Sequence, residues 1–257
     1  MVHFVGAGPG APDLITVRGK ELIEKADIII YAGSLVNPAL LEYAKENVQI
    51  YNSAEMTLEE VTAVYIEAAK TEKAEQKEIE VVRLHTGEPS IYGAIKEQMD
   101  FLEKEGIPYD SCPGVSACFG AAASLNLEYT LPGVSQTLII TRLQGKTMVP
   151  ETESMESLAA HKASMAIYLS AGMLRELSEK LLAGGYEEDT PAAIVYKATW
   201  PEEKKIITTV GKLAEVGEKA GIKNIAVVLV GDAVSSEDYE KSRLYAADFT
   251  TGFRTGK

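Results

Sequence analysis

The 257-residue sequence predicts an α/β protein of two α/β domains, and three observations carry that reading. Up to about residue 110, short β-prone apolar runs alternate with helical patterns, which implies a mostly parallel sheet. Several runs stop abruptly in glycine- and proline-rich turns, as strands do where the backbone must approach a ligand. Beyond Pro132-Gly133 the texture changes to longer β runs, and Pro201-Glu202-Glu203-Lys204 between two of them reads as a hairpin turn, so the second sheet is expected to be mixed. A boundary near residues 115–130 follows, giving an N-terminal domain over 1–115 and a C-terminal domain over 116–257.

In chain order, Val2 to Val5 is a short strand followed by Gly6-Ala7-Gly8-Pro9-Gly10-Ala11, and a helix starts near Thr16 and runs to Ala26. Ile28 to Tyr31 is a second strand. Asn37 followed by Pro38 predicts a helix to about Glu46, with Val48 to Tyr51 as the next strand. Thr57-Leu58-Glu59-Glu60 is a capping box opening a helix to about Lys73, with Val61, Val64, Tyr65 and Ala68 on one face. Ile79 to Gly93 holds a β run through Val81, Val82 and Leu84 that ends in Thr86-Gly87-Glu88-Pro89. A helix from about Ala94 to Lys104 follows, with Ile95, Met99 and Leu102 at helical spacing and Gly106 as its C-terminal cap. Ile107 to Cys112 is another strand, and Pro113-Gly114-Val115-Ser116-Ala117 opens a small-residue helix that Ser116 is placed to cap. Later strands are expected at Gln136 to Leu143, Ser164 to Ser170, Ala192 to Ala198, Ile206 to Val210 and Ile225 to Val230. Helices fall near Met173 to Leu182 and Lys212 to Lys219, and the polar tail after Asp232 is given no regular fold.

Composition narrows the function. Hydrophobic residues make up 46%, enough for a real core, and the formal charge of −13 without a Lys/Arg cluster argues against a nucleic-acid partner. Cys112 and Cys118 are too few for a disulfide framework and fit no usual zinc spacing, so no metal is expected and a reducing cytoplasm is the simplest compartment. No leader pattern opens the chain and no apolar run reaches the length of a membrane span, so a soluble protein is expected. The first glycine loop formally matches the dinucleotide fingerprint G-x-G-x-x-G/A. Pro9 and Pro12 interrupt the helix that fingerprint needs, however, and the second strand ends in Ala32-Gly33-Ser34 where an acidic residue is required. NAD is disfavoured, and a Rossmann fold with it.

Four stretches lie in one order along the chain: Gly6-Ala7-Gly8-Pro9-Gly10 with Asp13-Leu14-Ile15-Thr16, Gly87-Glu88-Pro89 with Tyr92-Gly93, Pro113-Gly114-Val115-Ser116-Ala117, and Thr141-Arg142. In these the sequence resembles the tetrapyrrole (corrin/porphyrin) methyltransferases that use S-adenosylmethionine. Within that family, Tyr31 to Val36, His85 to Ile95 and Val195 to Glu203 are most similar to the branch that methylates carbon 11 of precorrin-4 or cobalt-precorrin-4 in cobalamin biosynthesis. Glu88 departs from the family's usual Asp. The resemblance implies two α/β domains with the cofactor in the cleft between them, and a homodimer. It also implies S-adenosylmethionine contacts, leaving S-adenosylhomocysteine as product, at Pro9, Gly87, Glu88, Pro89, Ile91, Tyr92, Ser116, Ala117, Leu169 and Ala198.

The acceptor carbon of such a macrocycle is itself nucleophilic, so no protein nucleophile is required and no catalytic side chain is assigned. The macrocycle carries many carboxylates, and an acidic protein needs local cations to hold them. Arg142 is the favoured substrate contact, with Arg83, His85 and Lys197 beside it. Arg83 reads equally as a structural ion pair, His85 as a satisfied buried imidazole and Lys197 as a solvated charge. The competing functions are methylation at another ring position, ribosomal-RNA methylation, diphthine synthesis, and non-catalytic S-adenosylmethionine binding.

Overall fold

Residues 1–237 and 239–257 are described by a computed structural model. They divide into two compact units, one comprising Met1–Ala121 with Lys197–Glu203, the other Ala122–Tyr196 with Lys204–Lys257.

In the first unit, strands β1 (Val2–Gly6), β2 (Ile28–Tyr31), β3 (Gln49–Asn52), β4 (Val81–His85) and β5 (Tyr109–Cys112) form one parallel sheet in the order β3-β2-β4-β1-β5. β1 and β4 are buried along their whole length, as inner parallel strands covered on both faces must be. Alternation sorts their side chains. Val2, Phe4, Ile28, Ile30 and Val81 pack with Val61 and Tyr65 of α2 (Leu58–Glu75) and Leu102 of α3 (Lys96–Glu105). Val5, Ile29, Val82 and Leu84 pack on the other face with Ile23 of α1 (Val17–Lys25) and Leu40. Arg83 and His85 share the parity of Val81 and therefore face the α2–α3 layer.

The helix boundaries follow from capping chemistry. Thr16 accepts from the Gly19 N–H at 3.1 Å, and both halves of the Thr57–Glu60 capping box form. Gly106 closes α3 in a left-handed conformation with φ +66°. Two expectations shift. α3 begins at Lys96 rather than Ala94, because Tyr92 and Ala94 hold φ values of +59° and +50° that no α-helix contains. The segment after Asn37 is a 3-10 helix, Pro38–Tyr43, rather than an α-helix to Glu46. Its chain turns extended at Ala44, and Lys45 is tethered to the Lys25 carbonyl and the Asp27 carboxylate at 2.8 and 2.7 Å.

Helix α4 (Ala117–Leu125) runs across the division between the units. In the second unit, β6 (Leu138–Arg142), β7 (Ser164–Tyr168), β8 (Pro191–Tyr196), β9 (Lys204–Thr209) and β10 (Ala226–Val230) form a sheet in the order β6-β7-β10-β8-β9. Only β6 and β7 pair in parallel; the remaining pairs are antiparallel, and β8 and β9 form the expected hairpin. Helices α5 (Met155–Ala159), α6 (Leu174–Ala183) and α7 (Leu213–Ala220) belong to the same unit, and α6 and α7 contribute Leu174, Leu177, Leu181 and Leu213 to its core. α5 has five residues opened by a Ser154 cap, too short for a periodic pattern to reveal it. After Asp232 the described residues carry only the 3-10 turns Asp232–Val234 and Arg243–Tyr245; Asp238 lies outside the described residues. No helix among the described residues is long and apolar enough to cross a membrane.

The tightest packing in the first unit is backbone on backbone. A Cβ at Gly114 would fall 2.1 Å from the Gly87 carbonyl oxygen and 2.7 Å from the Gly6 Cα. Backbone cannot swing aside as a flexible side chain can, so Gly114→Ala is expected to lose about 1–3 kcal/mol of stability. Urea denaturation reads this as a lowered midpoint, and an unchanged midpoint would mean the contact is not tight.

Candidate active site

Three loops converge at the carboxyl ends of β1, β4 and β5, the edge at which open α/β sheets take ligands. Gly8 and Gly87 form an isolated bridge: the Gly8 N–H donates to the Gly87 carbonyl at 3.3 Å and the Gly87 N–H returns to Gly8 at 2.9 Å. The Ala7 N–H donates to the His85 carbonyl at 2.7 Å, which locks the first glycine loop onto the end of β4. Gly87 itself has φ +60°, a backbone region that side chains resist. A Cβ built there would stand 3.5 Å from the Ala117 nitrogen and 3.6 Å from the Ser116 Cα, so the missing side chain leaves a cradle facing the first residue of α4. N–H groups at a helix start lack intrahelical partners and are available to a ligand acceptor. Ser116 is buried, and its carbonyl accepts from Phe119 and Gly120 at 3.0 and 3.2 Å.

Glu88 ties two of these loops together. Its carboxylate accepts from the Ser90 N–H at 2.9 Å and from the Gly114 N–H at 2.8 Å, so both oxygens meet protein backbone. Partial burial pushes its pKa up, but the hydrogen bonds from Ser90 and Gly114 outweigh this and hold it below the ordinary carboxylate value. Beyond Glu88, the Ile91 N–H returns to its carbonyl at 3.1 Å, and Tyr92 follows in a left-handed conformation with its side chain 44% exposed.

Residues 197–203 supply a further wall of the same unit. The Ala11 N–H donates to the Thr199 hydroxyl at 2.9 Å, and the Trp200 indole fills the space over Gly10, where a Cβ would fall 2.1 Å from its ring. Pro9 lies against Gly120 and Ala198 is buried, its carbonyl turned toward Gly10. Lys197 places its ammonium 5.0 Å from the Trp200 ring and 3.5 Å from Glu202. Thr199 and Trp200 were not singled out as site residues from sequence, although both lie in the Val195 to Glu203 phrase. Pro9, Gly87, Glu88, Pro89, Ile91, Tyr92, Ser116, Ala117, Lys197 and Ala198 thus belong to one unit, together with Arg83 and His85, which are buried beneath them on β4.

Arg142 and Leu169 belong to the other unit, at neighbouring ends of the parallel pair β6–β7. Leu169 is left-handed, with φ +53°, and 64% exposed. The adjoining Ser170 hydroxyl accepts from the Leu143 N–H at 2.9 Å and donates to the Tyr168 carbonyl at 2.7 Å. The Arg142 guanidinium donates to the carbonyls of Leu143, Thr147 and Met148 at 3.0 to 3.2 Å. In this arrangement it organises its own loop, and a ligand carboxylate would have to displace carbonyls to gain the bidentate grip expected from the sequence. Among the described residues no group of three or more His, Cys, Asp or Glu is placed to hold a metal ion, and Cys112 and Cys118 are buried thiols.

The Glu88 geometry has a pH signature. Because its folded pKa lies below its unfolded value, its contribution is fully present above the unfolded value of about 4.3 and is lost as pH falls through the folded value. Glu88→Gln, which cannot accept at both positions, should be less stable than the parent by about 1–2 kcal/mol at pH 7. The gap should narrow steadily as pH falls below about 4. Urea midpoints of both proteins across that range measure it, and a gap independent of pH would show that the carboxylate charge is not what joins the loops.

Compared with known proteins, residues 1–214 match the family described as Tetrapyrrole (Corrin/Porphyrin) Methylases. The chain is 51% identical to the cobalt-precorrin-4 C(11)-methyltransferase of Methanocaldococcus jannaschii, over 98% of this chain and 95% of that protein. It is 42% identical to the enzyme of the same name from Priestia megaterium, over 99% of this chain and 98% of that one. The solved structure of a cobalt-precorrin-4 methyltransferase, a cobalamin biosynthetic enzyme, superposes with a TM-score of 0.86 at 42% identity, covering 91% of this chain and 96% of the other. The two-sheet architecture is therefore the tetrapyrrole methylase fold and not a single Rossmann domain, and the chain belongs to the tetrapyrrole (corrin/porphyrin) methylase family.

Proposed function

We propose that this protein transfers a methyl group from S-adenosylmethionine to carbon 11 of precorrin-4 or its cobalt-containing form, releasing S-adenosylhomocysteine. The observation that carries the reading is the 51% identity over 98% of the chain to a protein named for that reaction. The bare backbone cradle at Gly87, open toward the start of α4, supports it, because a nucleoside and an amino-acid terminus are held well by backbone groups and small or apolar walls.

When bound, the cofactor supplies a methyl group on a positively charged sulfur. Pro9, Gly87, Pro89, Ile91, Tyr92, Ser116, Ala117 and Ala198 are proposed to hold it, and Leu169 is proposed as a further contact. Glu88 is proposed to meet the cofactor through the backbone of its turn, while its carboxylate fixes the loops through Ser90 and Gly114. The acceptor carbon needs no activation by a protein nucleophile. The chain's task is to keep the reacting atoms aligned at about 3 to 3.5 Å and to keep water out. Lys197 offers an ammonium to a substrate carboxylate, and Arg142 serves the substrate by shaping the loop after β6. A cytoplasmic homodimer completes the proposal. Two free buried thiols fit a reducing compartment, and light scattering distinguishes a 27.7 kDa chain from its dimer.

Incubation with methyl-labelled S-adenosylmethionine and precorrin-4, with and without cobalt, should label the macrocycle at carbon 11. Label at another ring position, or binding without turnover, would replace this reading with one of its competitors. Calorimetry should find S-adenosylmethionine binding and no NAD binding. Two glycine variants isolate the cradle. Gly87→Ala and Gly106→Ala both place a side chain at φ near +60°, at about 1–2 kcal/mol each, but nothing stands within 4 Å of a Cβ at Gly106. Gly87→Ala should lose cofactor affinity by about tenfold or more while Gly106→Ala retains it. Equal affinities would remove Gly87 from the cofactor site.

A further inference from the structure

Arg83 is a buried cation without a carboxylate. It is 7% exposed in the middle of β4, in register with Phe4 and Ile30, where an apolar residue would ordinarily stand. Its Nε donates to the Gln98 Oε1 and its Nη1 to the Ile30 carbonyl, both at 3.3 Å, and it forms no ion pair among the described residues. The Tyr65 hydroxyl is a further neutral hydrogen-bonding partner, so the guanidinium meets polar groups but no carboxylate among the described residues. Next along the same face, His85 is 5% exposed, and its Nε2 is buried with no hydrogen-bond partner. Burial, and then the charge of Arg83, push the imidazole down to about 3, so it is neutral at physiological pH.

Both side chains line a cavity of about 290 Å³ in the first unit. Its walls combine apolar groups such as Leu35, Met56, Val61 and Ile91 with these two polar residues, and the exposed Glu97 also lines it. An unpaired buried charge and an orphaned buried ring nitrogen are each destabilising, and native proteins leave such groups only where something else satisfies them.

Gln98 explains how the arginine stays open. Its carbonyl oxygen accepts from Tyr65 at 2.8 Å as well as from Arg83, and its amide donates to the Ala94 carbonyl at 3.0 Å. It therefore fixes the guanidinium, and the left-handed turn at Ala94, without neutralising the charge. A glutamate at the same place would pair with Arg83 and close it.

We infer that this cavity is a subsite for one short carboxylic arm of the acceptor, an acetate or propionate group, gripped by Arg83 with the His85 Nε2–H as a further donor, and that Gln98 is the positioning residue that holds Arg83 open. The assignment rests on the proposed methyl-transfer reading for its acceptor. The apolar walls suit the methylenes of such an arm, and the planar fork of Arg83 suits its two oxygens. The same carboxylate chemistry exists on the amino-acid end of S-adenosylmethionine, so the test must separate the two.

Gln98→Glu and Arg83→Met are each compared with the parent by S-adenosylhomocysteine calorimetry, acceptor KM and kcat, and thermal midpoint. Gln98→Glu should keep or raise the midpoint, leave cofactor affinity within about twofold, and raise the acceptor KM by about tenfold or more with a smaller change in kcat. Arg83→Met should raise KM similarly. Unchanged KM in both variants overturns the subsite, and lost cofactor affinity with unchanged KM gives the carboxylate to the cofactor and overturns the acceptor assignment. A second readout does not depend on turnover. Propionate titrated into the parent should shift the His85 imidazole 15N resonance, with saturation that disappears in Gln98→Glu. A shift in a parent that methylates no tetrapyrrole would sustain the carboxylate pocket while the proposed reaction fails, and no shift in an active parent would sink the pocket alone.

Discussion

The first unit depends on one constraint, the contact of three bare backbones where β1, β4 and β5 end. A Cβ on Gly6 would fall 2.5 Å from Gly114, and one on Gly114 would fall 2.1 Å from the Gly87 oxygen. Because the strands are parallel and adjacent in the sheet, their loops leave on the same edge and must either diverge or interlock. Removing the side chains lets them interlock. The Gly8–Gly87 bridge and the Glu88 carboxylate then hold the interlocked loops in register. The ligand-facing edge is thereby made of backbone, whose N–H and carbonyl groups cannot change rotamer, and rigid donors and acceptors bind with little ordering cost.

Beneath that edge the electrostatics run against the composition. A chain of net charge −13 buries a guanidinium in its central strand and gives it neutral partners only. The surface charge repels an anionic substrate at long range, but screening limits that repulsion to about 8 to 10 Å in physiological salt. A desolvated cation inside a cavity is screened far less, so local attraction decides the outcome there. The neutral His85 belongs to the same logic, since a second positive charge beside Arg83 is excluded by both burial and repulsion.

The alternation of strands and helices, the capping box at Thr57 and Glu60, and the Gly106 cap were legible because each is a local interaction between residues a few positions apart. The mixed second sheet was legible from the change in run length after Gly133 and from the Pro201 turn. What escaped were features that residue type does not announce. The start of α3 is set by the left-handed Tyr92 and Ala94, and neither residue type announces φ above zero. The resemblance assigns Glu88 to the cofactor without saying what its carboxylate does, and its reach to Gly114 across 26 positions has no local signal. Arg142 was read as a substrate clamp, and its loop carbonyls could not be foreseen from residue type. Gln98 did leave a signal: it falls among Ile95, Met99 and Leu102 on the apolar face of α3, and a polar residue there must have a buried partner.

Residues proposed for the cofactor and substrate, with the nearby Ala94 and Thr199, make up five of the ten left-handed non-glycine residues among those described. Tyr92, Ala94, Leu169, Lys197 and Thr199 are all left-handed without being glycine, and each such conformation costs about 1–2 kcal/mol. Strain at that level persists only where neighbouring contacts fix the backbone more strongly than the local preference opposes it. Those contacts are visible for three of the five. Gln98 holds the Ala94 carbonyl, the Thr199 N–H donates to the Glu203 carboxylate at 2.6 Å while its hydroxyl accepts from Ala11, and the Trp200 N–H returns to the Lys197 carbonyl at 3.0 Å. The strain is thus distributed along loops that the Gln98 and Glu203 side chains and the Trp200 backbone N–H keep in place.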